Sequence, residues 1–345
     1  LTFSTETLLD FGTRLLEAAG VERGKARAVA GSLVAANLRA VDSHGIAMLP
    51  HYLKQIECGD VEPAAEGRVV QESGACLLYN GGHGFGAVTA AICVEHAIRL
   101  ARQHGISIVV VRDAGHFGAA ALWTQRISAQ GMIGIAVCDA GPQVAPWQGK
   151  ERRIGTNPLS MSVPHPQGRG WLLDMATTTV ALGKLEQAQL NGQTEIPAGW
   201  ALDSEGRQTT NLAAAMSGLL MPLGGYKGSG LGLMVEILCA VLGGGAMATE
   251  IRGTRMHGRH SRVNHAFLAI DVARFLSVDE FYERMDRLVT EIKSTSPGAG
   301  WDEVLVAGEP EVRAEEERRR NGIPLTEGAW NELVRAAARL NVPIG

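Results

Sequence analysis

Hydrophobic positions near the start of the chain recur at helical spacing. Leu8, Leu9, Phe11, Leu15 and Leu16 form one stripe across residues 4–19, and Ser4 or Thr5 stands where an N-cap is expected. A second helix is predicted over residues 25–39, followed by the polar turn DSHG at 42–45. Pro50 then opens a short helix through Ile56 that closes at Cys58 and Gly59; proline fits there because its missing donor falls in the first turn. From Cys76 the pattern changes to short β-rich runs alternating with helices: CLLYN, AVTAAICVEHAIRLARQHG, ISIVVVRD, AALWTQRISAQG and MIGIAVCD. LSMSVP, GWLLDMA and HAFLAID read as further strands. LGLMVEILCAVLGG is apolar on nearly every face, so a buried helix is expected. The tail returns to helix, first as the charged run EVRAEEERRRNG, whose charges are expected on a solvated face, then as TEGAWNELVRAAARL.

This order describes an α/β body with helical segments at both ends, which are expected to pack as one lobe. A chain of 345 residues with 46% hydrophobic content can bury a large core. The net charge of −4 is spread along the chain, which leaves no electrostatic footprint for nucleic acid. No apolar run approaches the roughly 20 residues of a membrane-spanning helix. The segment LTFSTETLLDFG lacks the basic start and apolar centre of a signal peptide, and a cytoplasmic protein is expected. The five cysteines are odd in number, scattered and never in a CxxC pair, which argues against disulfides and against a zinc site; no metal is expected.

Several turns carry candidate chemistry. NGGHGFGA at 80–87 follows a strand, opens a helix and fits GxGxxA from Gly82, and Asp113 ends the next strand where a dinucleotide fingerprint wants an acid. The turn DAGHFGAA places His116 between glycines at a helix start, where backbone amides can hold an anion; the same segment also reads as a plain capping turn. In RIGTNPLSMSVP, Thr156 and Asn157 precede Pro158, which holds its neighbour extended, so both side chains are candidates for substrate oxygens or simply turn formers. LLDMATTTVALGK brings a buried strand to Asp174 and then a helix reaching Lys184; an Asp there binds a ribose hydroxyl or caps the helix. GGYKGSGLGLMVE sets Tyr226 and Lys227 in a glycine-rich loop before an apolar helix, a plausible phosphate site without the Walker spacing. The basic segment RGTRMHGRHSR at 252–262 reads as a solvated loop or as a cover over an anionic ligand.

Together, VDSHGIAMLPHY, GHFGAA, GTNPLS, LLDMATT, PLGGYKGSGLGLMVEIL, HAFLAID and VLVAGEPE resemble the malate/L-lactate dehydrogenase family of the second type. That family includes ureidoglycolate dehydrogenase, diketogulonate reductase, sulfolactate dehydrogenase and piperideine-2-carboxylate reductases. The resemblance implies an oxidoreductase that uses NAD or NADP to interconvert a small 2-hydroxy acid and its 2-oxo acid, acting as a homodimer. It also implies a non-Rossmann α/β fold, which demotes the glycine fingerprint and Asp113. Residues 1–72 and 310–345 would form the helical lobe, with substrate and dimer contacts, and 73–309 the nucleotide-binding body.

By the same resemblance His44 is the proton donor and acceptor, with Ser43 beside it and His116 close by. His116, Phe117, Gly118, Ala119 and Ala120 would line the nicotinamide pocket. Met48, Tyr52, Thr156, Asn157 and Lys184 would face the substrate. Asp174, Met175, Ala176, Tyr226, Lys227, Gly308, Glu309 and Pro310 would hold the dinucleotide. The chain departs from the family at two points. Met48 stands where an arginine usually grips the substrate carboxylate, so His51 or an arginine of 252–262 is a candidate replacement. Lys184 stands near an aspartate of the imine-reducing branch, which argues against cyclic imine carboxylates as substrates. A ligand-binding relative that has lost catalysis is a further alternative, favoured by Met48 alone.

Overall fold

Strand β1 (Thr2–Phe3) leads into helix α1 (Thr5–Ala18), where Ser4 Oγ accepts the Thr7 amide at 3.1 Å as the polar-to-apolar step predicts. Helix α2 (Arg23–Leu38) starts earlier than expected because Glu22 accepts the amides of Gly24 and Lys25. Two short 3₁₀ turns, Asp42–His44 and Ile46–Met48, connect it to α3 (Leu49–Glu57), with Pro50 in the first turn. The computed structural model describes residues 1–166 and 170–344.

The α/β body follows as β2 (Arg68–Ser73), β3 (Cys76–Asn80), α4 (Gly86–His104), β4 (Ile106–Ala114), α5 (Ala121–Ser128), β5 (Met132–Cys138), β6 (Leu159–Ser162) and β7 (Leu172–Met175). Helix α6 (Leu182–Leu190) opens a small excursion with β8 (Ala201–Leu202), β9 (Gln208–Thr209), α7 (Leu212–Ser217) and β10 (Leu219–Leu220). The chain returns through α8 (Tyr226–Glu236), which runs on as a π-helical turn over Ile237–Val241, and through β11 (Val263–Asp271). It ends with α9 (Val278–Lys293), α10 (Glu309–Asn321), β12 (Ile323–Pro324) and α11 (Glu327–Leu340). Helix α9 has no counterpart among the expected elements, although Phe281, Met285, Leu288 and Ile292 repeat at helical spacing along it.

Among the described residues the largest sheet has seven strands in the order β2-β3-β4-β11-β5-β6-β7. Only β3 and β4 pair in parallel, with α4 as crossover; every other neighbour pair is antiparallel. A dinucleotide-binding Rossmann sheet is mostly parallel, so this topology is a different α/β architecture, as the resemblance implied. The strand HAFLAID takes the central position between β4 and β5, which explains its nearly continuous burial.

One core lies between the sheet and the helices α1, α2, α4 and α11, with Leu33, Leu100, Trp123 and Phe267 among its fully buried side chains. The N- and C-terminal helices therefore share a core with the sheet. Val110, Val137 and Ala266 point to the opposite face, where Val235 and Cys239 cover them. The excursion has a small core of its own around Leu185, Ala201 and Leu220. No helix among the described residues is long and apolar enough to cross a membrane.

Two expectations fail for physical reasons. The helix LGLMVEILCAVLGG is not buried all round: Gly232, Val235, Cys239 and Ala240 face the protein, while Leu233, Met234, Ile237, Val241 and Leu242 are each more than 40% exposed. The charged run of α10 is not merely solvated, since Arg39 pairs with Glu315 at 3.3 Å and Arg318 reaches Asp42.

Candidate active site

The turn at 42–45 is held from two sides. Asn37, buried in the last turn of α2, donates to Asp42 Oδ1 at 2.6 Å and accepts the Ile46 amide at 2.7 Å. From α10, the Arg318 guanidinium grips the same carboxylate through two bonds of 2.6 and 2.9 Å. Such a fork fixes orientation as well as position. A Cβ on Gly45 would sit 2.3–2.4 Å from the Asn37 amide, so only glycine lets the chain pass there. Asp42 is thus an anchor for the turn, and the residue that the anchoring presents is His44. Ser43 Oγ lies 3.0 Å from His44 Nδ1, and burial draws the imidazole below its ordinary value.

A second imidazole arrives from the sheet. His116 sits in the turn between β4 and α5, stacked on His44 with ring centres 5.5 Å apart. Its Nδ1 is 2.7 Å from Tyr52 Oη, presented by α3. Burial, with the neighbouring His44 and His265, pulls His116 down to about 3, and burial pushes the Tyr52 phenol well above its ordinary range. His116 is therefore a neutral hydrogen-bonding group near neutral pH. Behind it, His265 of β11 is fully buried, stacks on Phe117 at 4.6 Å and bonds Gly115 O at 3.0 Å. Burial draws His265 down to about 4, so the ring donates from Nε2 and leaves Nδ1 without a partner. Sequence reading missed this support because a strand buried on both faces shows no alternation to mark an inward histidine.

The expected dinucleotide residues gather along β7 and its exit. Gly308, with φ of +95°, packs so closely on Leu172 that a Cβ would meet that residue's backbone at 3.1–3.2 Å. Two residues on, Asp174 Oδ2 accepts the Ala121 amide at 2.8 Å, at the start of α5 beside Gly118, Ala119 and Ala120. Burial raises this carboxyl to about 6. Met175 and Ala176 follow, both half-buried, and Thr177 then binds Thr156 O and accepts the Leu223 amide three residues before Tyr226. Tyr226 and Lys227 stand exposed in the first turn of α8. One edge thus runs from Gly308 through Asp174 to α8. It combines a close backbone approach, a partly desolvated carboxylate and helix N-termini, a donor and acceptor set that suits a dinucleotide. Glu309 is engaged elsewhere, with Lys293 and the Val306 amide, while Pro310 occupies the first turn of α10.

Among the substrate candidates, Tyr52 joins His116 as above and Thr156 borders the β7 exit. Met48 is half-buried and packs on the main core. Gly183 of α6 lies against Ser43, at 3.2 Å for a built Cβ, which brings the next residue, the exposed Lys184, to the rim. Asn157 is a correction. It is completely buried, accepts the Ala140 amide and donates both amide hydrogens, to Gly232 O at 2.9 Å and Glu236 Oε1 at 3.1 Å. Both amide hydrogens are taken, and complete burial closes the side-chain carbonyl off from a ligand. The helix expected to reach Lys184 from the threonines begins only at Leu182. Of the replacement cations, Arg255 is ion-paired with Glu186 on both carboxylate oxygens.

The glycine fingerprint at 80–87 does not cradle an anion. The amides of Gly81, Gly82, His83 and Gly84 all donate inside the protein, and a Cβ on Gly86 would meet Gly115 O at 2.1 Å. These glycines pack the first βα turn against the His116 turn. Asp113 is bonded to Asn80 and Arg262.

A family model for malate/L-lactate dehydrogenases matches residues 3–334. The chain belongs to the malate/L-lactate dehydrogenase family. Membership makes it an oxidoreductase and implies a nicotinamide cofactor. Malate dehydrogenase of Pyrococcus abyssi is 36% identical, over 98% of this chain and 94% of its own length. L-sulfolactate dehydrogenase of Methanocaldococcus jannaschii is 34% identical, over 96% and 94%. The solved malate dehydrogenase of Pyrococcus horikoshii superposes with a TM-score of 0.91 at 35% identity, covering 99% of this chain and 96% of that one. The Δ1-piperideine-2-carboxylate reductase of Pseudomonas syringae keeps the fold with a TM-score of 0.86 at 26% identity, over 98% and 100%.

Proposed function

We propose that this protein interconverts a 2-hydroxy acid and a 2-oxo acid with NAD or NADP, His44 serving as proton donor and acceptor. The observation that carries the reading is the pairing of two imidazoles, His44 and His116, beside the Asp174 carboxylate and the start of α5, groups that suit a dinucleotide. The names of the relatives, malate and sulfolactate dehydrogenases, support the substrate class.

A bound nicotinamide would supply the hydride in reduction and accept it in oxidation. This chain's own residues would handle the proton. His44, oriented by Ser43, would protonate the carbonyl oxygen in reduction and withdraw the hydroxyl proton in oxidation, a contribution of roughly 10² to 10⁴ in rate. Neutral His116, fixed by Tyr52, would hydrogen-bond the same oxygen. Gly118, Ala119 and Ala120 would border the nicotinamide; Asp174, Met175 and Ala176 the adjoining sugar and phosphates; Tyr226, Lys227 and the Gly308, Glu309, Pro310 turn would complete the cofactor contacts. Thr156 and Lys184 would face the substrate.

We also propose a homodimer through α8. Its outward stripe of Leu233, Met234, Ile237, Val241 and Leu242 exposes large apolar side chains while small ones face the protein, an arrangement suited to a second copy.

Fluorescence titration with NADH and NADPH, followed by a panel of 2-oxo acids read by loss of nicotinamide absorbance, tests the function. Binding of one cofactor and turnover of at least one 2-oxo acid are expected, with His44→Ala abolishing turnover while still binding cofactor. Failure to bind either nucleotide, or unchanged turnover in His44→Ala, sinks the reading. Consumption of cyclic imine carboxylates in preference to oxo acids would move it to the imine-reducing branch.

A further inference from the structure

The basic loop at 252–262 is fastened to the far end of α3, away from the catalytic pair. Gln55 Nε2 donates to Ser261 Oγ at 3.0 Å, a buried bond. Just past the helix end, Gly59 turns the chain with φ of +69° and places Asp60 under the loop. Asp60 is 1% exposed, and among the described residues both hydrogen bonds to its carboxylate come from the loop. Oδ1 accepts the Gly258 amide at 2.8 Å, and Oδ2 lies 3.1 Å from His257 Nδ1. Its own carbonyl is 3.1 Å from His260 Nδ1. The remaining member is Cys58, the exposed C-cap residue of α3, whose backbone amide closes the helix and whose thiol is free.

Among the described residues, ligand atoms of Cys58, Asp60 and His257 all lie within 4.8 Å of one another. We propose that these three side chains form a site for a single divalent transition-metal ion, zinc foremost, which clasps the 252–262 loop to the end of α3. Zinc bonds of about 2.0–2.3 Å set neighbouring ligand atoms of a tetrahedron about 3.3–3.8 Å apart. Small rotations of the exposed thiol and the half-buried imidazole would close the difference. Sulfur, nitrogen and one carboxylate oxygen suit a borderline-soft ion, whereas calcium and magnesium call for oxygen donors throughout. Water would take the fourth position. The amide of Gly258 already orients the carboxylate from outside, as outer partners of metal ligands do. Binding would displace the Cys58 thiol proton to solvent, move the His257 ring proton from Nδ1 to Nε2, and replace the His257 to Asp60 hydrogen bond with two metal bonds.

Cysteine spacing alone argued against zinc, because it tests only for paired thiols. Here the imidazole comes from 197 residues beyond Asp60 and joins the thiol only in the folded chain.

The test uses the untagged full chain, stripped with a chelator and dialysed against zinc or cobalt(II). About one equivalent of zinc per chain is expected to remain bound, with affinity falling roughly a hundredfold or more in Cys58→Ser and in His257→Ala. The cobalt form should show a near-ultraviolet thiolate-to-metal charge-transfer band that disappears in Cys58→Ser. In the unaltered protein, zinc should also shield Cys58 from alkylation while leaving exposed Cys76 reactive, a measurement that needs no variant to fold. Absence of retained zinc, equal retention by both variants, a cobalt form without the thiolate band, or an unshielded Cys58 would each overturn the proposal.

Discussion

Tyr52 Oη and His116 Nδ1 stand 2.7 Å apart, joining a side chain of α3 in the helical N-terminal segment to one in the strand-to-helix turn after β4. This bond, added to the shared core, ties the helical segment that carries His44 to the sheet on which the proposed cofactor edge lies. Tyr52→Phe keeps the packing and removes only the bond, typically worth about 0.5–1.5 kcal/mol, so kcat/KM should fall roughly threefold to tenfold. Steady-state kinetics and a parallel cofactor titration check this, with affinity for the nucleotide expected to hold.

The pH dependence should report one imidazole. His116 and His265 are drawn down to about 3 and about 4, so both remain neutral as pH rises through the working range. His44 is lowered from its ordinary value by burial, and in the proposed role it is the group that changes charge. Reduction needs it protonated, so kcat/KM for reduction should decline as pH rises through its pKa; kcat/KM for oxidation should rise through the same point. The midpoint should lie below the ordinary imidazole value of about 6.5. Profiles recorded in both directions would contradict the assignment if the midpoints disagreed or lay above that value.

In the proposed cofactor site Asp174 would trade stability for a ligand contact. Its carboxyl is raised by burial to about 6, so the stabilisation from the protonated form is complete below about pH 4, its unfolded value, and is lost as pH rises through about 6. Asp174→Asn should therefore stabilise the ligand-free protein above that range by on the order of 2 kcal/mol, with little change in acid. Dinucleotide affinity should drop roughly tenfold or more as a charge-assisted bond is lost. Thermal melts across pH and a nucleotide titration separate the two effects.

Met48 packs on the core at the start of α3, one turn after His44, and carries no charge for a substrate carboxylate. Met48→Arg should raise kcat/KM for simple 2-oxo acids such as pyruvate and oxaloacetate by about tenfold, the value of one charge-assisted fork. A decrease would mean that another cation already holds the carboxylate.

The outward face of α8 predicts its own disruption. Sedimentation should give a dimer for the unaltered chain, and Ile237→Glu combined with Val241→Glu should give a folded monomer, because both positions are more than half exposed in the single chain. A monomeric wild type would remove the proposed interface.

Most of the fold was legible because its signals are local. The α1 stripe with its Ser4 cap, the strand CLLYN and the apolar run at β4 appear where periodicity placed them. Helix α8 was misjudged because hydropathy counts how apolar a helix is and not which neighbours it has. Its small residues fit against the sheet, and its large ones face outward.

Residue identity and order by themselves determined the α/β alternation, the family resemblance, and the chemical capacity of His44, His116 and Asp174. Which groups can act was a matter of tertiary structure. Asn157 stood as a substrate candidate in the sequence, and Asp113 as a cofactor candidate until the resemblance demoted it; folding tied both into internal bonds. The glycines of 80–87 fit a phosphate-loop pattern that the resemblance already demoted, and in the fold their amides bond within the chain. Conversely, Arg318 and Asp42, 276 residues apart, meet to hold the turn that presents His44. Local sequence encodes backbone preference and side-chain chemistry. Burial, partners and free lone pairs are set by contacts between distant segments, which no local pattern records.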